Sequence, residues 1–118
     1  MIRTLLKSKI HRAVVTEADL DYEGSLKVDE DLLLAAGMIP FERVEVYNLA
    51  NGERFATYLI KGEKGSGVVS VNGAAAHKAR PGDPVIITTY VELEEDEIEF
   101  FMPRIVLVDR DNRVAEIR

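Results

Sequence analysis

The chain has 118 residues, 47% of them hydrophobic and 31% charged, as in one soluble globular domain with a real core and no room for a second. It contains no cysteine, which excludes disulfides, thiolate metal sites and cysteine nucleophiles, and only two histidines, His11 and His77, so a metal site is not expected. A net charge of −6 argues against a nucleic-acid partner, whose nonspecific affinity comes from Lys and Arg neutralising phosphates.

No apolar run approaches membrane-spanning length, and residues 1–11 show neither a long apolar core nor a small-residue cleavage site, so a cytoplasmic location is expected. Residues Ile2 to Val15 read as an extended strand, with Lys9, His11, Ala13 and Val15 on one face and Ile10, Arg12 and Val14 on the other. Thr16 to Tyr22 reads as a turn or single helical turn leading into Glu23-Gly24. After Ser25 comes a helix signature: Asp29 as N-cap, acidic residues in the first turn, good formers from Leu32 to Ala36, and Gly37 as the stop.

Val44, Val46 and Tyr47 belong to one strand and Arg54 to Ile60 to another, joined by the hairpin dipeptide Asn51-Gly52. On the second strand Arg54, Ala56, Tyr58 and Ile60 share a face, opposite Phe55, Thr57 and Leu59. Gly62 to Gly67 is glycine-rich but lacks the Gly-Lys-Ser/Thr ending of a phosphate loop and precedes no long helix; it reads as a turn before a strand, Val68 to Val71. Asn72-Gly73 opens a brief helical piece, Ala74 to Ala79, closed by Pro81 to Pro84. Val85 to Leu93 is a β-branched strand, Glu94 to Glu97 a solvated acidic loop, and Arg104–Asp109 and Arg113–Ile117 a final pair across Asp111-Asn112. Many short strands with two short helices indicate a small, mainly-β barrel in one domain, residues 1–118.

The chemistry centres on Tyr22-Glu23-Gly24-Ser25. A serine hydroxyl that attacks the preceding carbonyl turns the amide into an ester; elimination leaves dehydroalanine, and hydrolysis yields an N-terminal pyruvoyl group. Glycine before the serine puts no Cβ in the way and tolerates a distorted peptide unit. Gly-Ser is also an ordinary turn dipeptide, repeated at Gly65-Ser66. Three readings of the residues therefore stand together: a self-cleaving enzyme, a hydrolase pairing Ser25 with His11 without a Gly-x-Ser-x-Gly elbow, and a non-catalytic barrel that serves as an interaction module. In the last, His11 is a packed histidine, and Arg54 and Tyr58 are cross-strand contacts.

Taken together, the spaced residues resemble the bacterial, pyruvoyl-dependent aspartate 1-decarboxylase family. The resemblance is carried by Met1-Ile2-Arg3-Thr4 with Lys9, His11 and Arg12, by Ala18-Asp19-Leu20 into Tyr22-Glu23-Gly24-Ser25, and by Ala35-Ala36-Gly37. It continues through Asn51-Gly52 with Arg54-Phe55 and Thr57-Tyr58, then Ser70 to His77, and weakens after about Val91. It implies a double-psi β-barrel, a homotetramer with sites between adjacent subunits, and cleavage into residues 1–24 and 25–118. It further implies a pyruvoyl cofactor made from Ser25, with no external cofactor and no metal, and conversion of L-aspartate to β-alanine and CO2 for pantothenate and coenzyme A synthesis.

The roles the resemblance implies are processing for Thr57, carboxylate binding for Arg54 and proton donation for Tyr58. Lys9, Tyr22, His11, Asn72, Gly73, Ala74 and Ala75 line the site. Two positions depart from the pattern: Leu26 follows Ser25 where a small residue or cysteine is frequent, and Tyr47 stands where tryptophan is common, keeping a flat amphipathic ring. The residue types suit the chemistry. Decarboxylation leaves a carbanion that needs an electron sink, which a ketone condensed with the substrate amine as a Schiff base provides. Arg54 forks onto the side-chain carboxylate, amides at Gly73 to Ala75 help hold an anionic group, and Tyr58 returns the proton.

Overall fold

Strand β1 (Ile2–Val14) is the longest element of the computed structural model, which describes all of residues 1–118. Its faces do not alternate as the sequence suggests. Arg12 sits at φ 67° and the pairing with the neighbouring strand slips between His11 and Ala13, so one extra residue enters the strand there. The bulge turns Ala13 and Val15 onto the buried side with Ile10 and away from Lys9 and His11.

The segment expected to be a turn after Thr16 contains a short strand, β2 (Glu17–Asp19). Thr16 fixes it: its backbone N–H donates to the Val69 carbonyl at 2.8 Å, and its hydroxyl accepts from the Val69 N–H at 2.9 Å. Strand β3 (Ser25–Asp29) then runs straight into helix α1 (Glu30–Ala36). Asp29 caps that helix by accepting from the Asp31 N–H at 2.8 Å, and Gly37, at φ 68°, ends it in the left-handed conformation that glycine adopts without penalty.

Strands β4 (Arg43–Asn48) and β5 (Arg54–Gly62) form the expected hairpin, with Tyr47 opposite Arg54. On β5 the outward residues are Arg54, Ala56 and Tyr58, and Leu59 is fully buried, as the alternation requires. Strand β6 (Val69–Asn72) leads into a 3-10 helix, Gly73–His77. Strand β7 (Pro84–Glu94) is followed by a one-turn helix, α2 (Glu95–Ile98), where a loop was expected. Glu94 and Glu97 close a reciprocal capping box there, which gives four acidic residues a helical solution. Strands β8 (Arg104–Val108) and β9 (Val114–Ile117) complete the chain as a hairpin.

The strand order is β2-β6-β3-β5-β4-β7-β1-β8-β9, with parallel pairs β1–β8, β2–β6 and β3–β5. Only Val15 and Thr16 separate β1 from β2, yet these strands stand six places apart in that order. A flat sheet would hold them roughly 29 Å apart, whereas the chain from Val14 to Glu17 reaches about 11 Å. The sheet therefore has to curl until its ends meet. Inside lies one core of 18 buried residues, including Ile10, Leu26, Leu59 and Ile87. No helix is long and apolar enough to cross a membrane.

Candidate active site

Ser25 opens β3 directly opposite Asn72, the last residue of β6. Both side chains are shut away from solvent, at 1% and 2% exposure. Buried polar groups need partners, and these form a short relay. The Ser70 hydroxyl donates to Asn72 Oδ1 at 2.8 Å, Asn72 Nδ2 donates to Ser25 Oγ at 3.1 Å, and Ser25 Oγ donates to the Glu23 carbonyl at 3.2 Å. Both ends of the Asn72 amide are thereby committed, which fixes its orientation and leaves no side-chain cap on the helix it precedes. A bond back to the carbonyl two residues earlier folds the Ser25 hydroxyl over the Gly24 unit. Ser70 was not anticipated, although its spacing two residues from Asn72 puts both on one strand face.

Gly73 supplies the other wall. At φ 71°, a Cβ added there would lie 2.7 Å from Gly24 Cα, 2.9 Å from Gly24 N and 3.3 Å from the Tyr22 carbonyl oxygen. Only glycine lets the two backbones approach this closely. Gly24 faces no such crowding from the rest of the fold. A Cβ on Gly24 meets nothing within 4 Å, and its φ is not in the left-handed region.

Strand β5 lies alongside β3 in parallel, Leu26 facing Leu59. One step back along both strands stand Ser25, the first residue of β3, and Tyr58. Tyr58 is 37% exposed and stacks on Phe41, ring centroids 6.5 Å apart. Phe41 holds a left-handed φ of 71°, a conformation bulky residues rarely adopt. Tyr22 is half exposed, with the Lys27 ammonium 5.2 Å from its ring centroid, a partner the sequence did not single out.

Arg54 and Tyr47 form a second group. The guanidinium carbon lies 4.4 Å from the Tyr47 ring centroid, a cation–π arrangement. The Tyr47 hydroxyl is 2.6 Å from that of Tyr90 and 3.5 Å from Glu45 Oε2. Burial pushes the Tyr47 phenol above its ordinary pKa, and the Tyr90 and Glu45 oxygens push the same way against the Thr88 hydroxyl, which pulls it down. Arg54 makes no salt bridge within its own chain, and it lines a shallow depression of about 380 Å³ with Glu45, Tyr47, Phe55 and Ala56. Four strand steps separate it from Tyr58, roughly 13 Å along β5.

Lys9 and His11 make a third group on β1, facing Thr88 and Ile86 of β7. His11 Nδ1 is buried without a hydrogen-bond partner. Burial lowers its pKa, with Lys9, Arg12 and Arg118 acting in the same direction. No hydrogen bond or ion pair joins Lys9 or His11 to Ser25. Of the helix residues, Gly73 is buried, Ala75 half-buried and Ala74 exposed. No group of three or more His, Cys, Asp or Glu side chains is gathered as a metal site.

The chain resembles known proteins over nearly its whole length. Residues 1–115 match the family model described as aspartate decarboxylase. The chain is 58% identical to the aspartate 1-decarboxylase of Thioalkalivibrio sulfidiphilus over 115 residues, covering 98% of this chain and 91% of that one. Against the enzymes of Ralstonia nicotianae and Bordetella avium, identity is 55% and 58% over all 118 residues, covering 98% and 97% of the relatives. Among solved structures, the crystal structure of the rationally designed mkDPBB_sym_86 protein superposes with a TM-score of 0.50 at 15% identity, over 65% of this chain and 90% of that one. That likeness bears on fold alone, and the fold is the double-psi β-barrel.

Proposed function

The chain belongs to the aspartate decarboxylase family and is an enzyme that decarboxylates L-aspartate to β-alanine and CO2; we propose that it does so on a pyruvoyl group made from its own Ser25. The observation that carries this is the buried relay Ser70–Asn72–Ser25, which folds the serine hydroxyl over a Gly24 unit that Gly73 cradles. A serine hydrolase needs its hydroxyl open to substrate and next to a base. Ser25 is closed off, and no bond joins it to His11.

Cleavage runs in balanced steps. Ser25 Oγ bonds to the Gly24 carbonyl carbon while the C–N bond of that peptide breaks, the hydroxyl proton passing to nitrogen. Loss of the Cα proton of residue 25 expels the Gly24 carboxylate and leaves dehydroalanine. One water then displaces ammonia and leaves the ketone. Asn72 positions the attacking oxygen, and Thr57 of β5 serves the same processing step. Once formed, the ketone supplies the electron sink that the decarboxylated substrate requires.

The remaining roles fall to side chains. Arg54 binds the side-chain carboxylate of aspartate, because pairing with the α-carboxylate would stabilise charge that must vanish as CO2 leaves. Tyr58, level with Ser25 along the paired strands, delivers a proton to the substrate Cα from its hydroxyl. Tyr22, Tyr47, Lys9, His11 and the Asn72 to Ala75 segment complete the lining. The separation of the three groups within one chain supports a homotetramer with each site between adjacent subunits, as does the exposure of Phe41 at 78% and Leu49 at 45%. A cytoplasmic place in pantothenate and coenzyme A synthesis belongs to the same proposal.

A denaturing mass spectrum tests it. Two fragments are expected, residues 1–24 and 25–118, the larger lighter by the elements of ammonia than a chain beginning with serine. Ser25→Ala is expected to remain one uncut chain without activity; cleavage of that variant at residue 24 overturns the proposal.

A further inference from the structure

We propose that Tyr90 is a positioning residue for the substrate-carboxylate subsite, holding Tyr47 through its hydroxyl so that the Tyr47 ring holds the Arg54 guanidinium. The proposal rests on Arg54 as the carboxylate-binding group. Its geometry is a line of contacts across three strands. Tyr90 on β7 meets Tyr47 on β4 hydroxyl to hydroxyl at 2.6 Å, and Arg54 on β5 lies over the Tyr47 ring at 4.4 Å.

What the line accomplishes follows from Glu45. That carboxylate lies on β4 two residues from Tyr47 and lines the same depression as Arg54. A free arginine beside a free carboxylate ordinarily pairs with it, and a guanidinium so paired would be occupied when substrate arrives. Here the Tyr47 hydroxyl reaches Glu45 Oε2 at 3.5 Å while the Tyr90 hydroxyl holds it at 2.6 Å, and Arg54 keeps to the ring face without a salt bridge. Tyr90 donating to Tyr47, and Tyr47 donating toward Glu45, gives each hydroxyl one direction and leaves the guanidinium edge open. Tyr90 also lines the neighbouring groove with Arg43, Glu45 and Glu92. The phenol pair therefore stands as the partition between that groove and the Arg54 depression.

The experiment uses fully self-cleaved enzyme carrying Tyr90→Phe, which keeps the ring and removes one oxygen from a side chain that is 40% exposed. The KM for aspartate is expected to rise about three- to ten-fold, the worth of one hydrogen bond, with kcat and the extent of cleavage unchanged. Inhibition by succinate, which has both carboxylates and no amine, weakens by the same factor. Tyr47→Phe removes the same contact and the one to Glu45 as well, so its shift is at least as large, and the double variant is no worse than Tyr47→Phe alone. If Tyr90→Phe leaves KM and succinate inhibition unmoved while Arg54→Ala raises both, Tyr90 has no such role and the assignment of Arg54 stands. If Arg54→Ala moves neither, the Arg54 assignment fails and this inference with it. A Tyr90→Phe variant that loses melting temperature and kcat together at constant KM shows a merely structural contact and overturns the proposal.

Discussion

Replacing Gly73 with alanine tests the cradle most directly. The new methyl group would lie 2.7 Å from Gly24 Cα, against about 3.4 Å for ordinary contact, so one of the two backbones has to give way by roughly 0.7 Å. A left-handed φ of 71° adds about 1 kcal/mol for any residue with a Cβ. Neither strain is relieved by rotating a side chain, because the obstructing atoms are backbone. The attacked carbonyl belongs to the displaced residue, and shifts of this size between reacting groups cost on the order of ten- to a hundred-fold in rate. The assay follows the appearance of the 1–24 and 25–118 fragments by mass spectrometry in freshly folded protein, with near-ultraviolet circular dichroism to confirm native packing. Gly24→Ala is the control. Its Cβ enters open space, so it should melt within about 0.5 kcal/mol of the parent. Natively packed Gly73→Ala that cleaves as fast as the parent would refute the idea that this glycine contact holds the scissile peptide.

Three further outcomes are expected. Asn72→Ala strands the buried Ser70 hydroxyl and leaves Ser25 Oγ only its bond to the Glu23 carbonyl, and should cost about 1–3 kcal/mol in denaturant melts while slowing fragment appearance; parental values for both would show that the relay is dispensable. Burial alone would raise the pKa of Asp29, but the N–H groups of Gly67, Asp31 and Gly65, helped by Arg113, outweigh it and hold the carboxyl below its usual range. A depressed folded value means stability that is complete above about pH 4 and lost as pH falls through the folded pKa. Melting temperature should therefore fall more steeply on acidification in the parent than in Asp29→Asn, and parallel curves would contradict the assignment. Tyr58→Phe should cleave and bind succinate normally but turn over about a hundred- to ten-thousand-fold more slowly; equal single-turnover rates remove Tyr58 as the proton donor.

Local chemistry was legible in the sequence, and long-range pairing was not. Asp29 and Gly37 bound the helix because a side-chain cap and a left-handed stop act within a few residues. Asn51-Gly52 marks its hairpin, and strict alternation puts Arg54 and Tyr58 outside and Leu59 inside. The Arg12 bulge leaves no comparable trace, since an extra residue shows only against the partner strand. Strand β2 is three residues long and exists through its pairing with β6, which lies some fifty positions away. At the site, the resemblance supplied Asn72 as a lining residue, but not that it grips the Ser25 hydroxyl. Ser70, Lys27, Phe41 and Tyr90 escaped notice because each matters through a partner distant in the chain.

Strand β1 has a bearing on the order of events. It lies between β7 and β8, paired with both, and lends Ile10 and Ala13 to the barrel interior. All of it precedes residue 25, so the proposed scission would leave the shorter product as an interior plank of the finished molecule, wedged in place by neighbours it is no longer joined to. Assembly must come first and severance second. A processed specimen that is boiled apart then faces a second-order reunion of two separate peptides, where the newborn precursor needed only to collapse upon itself.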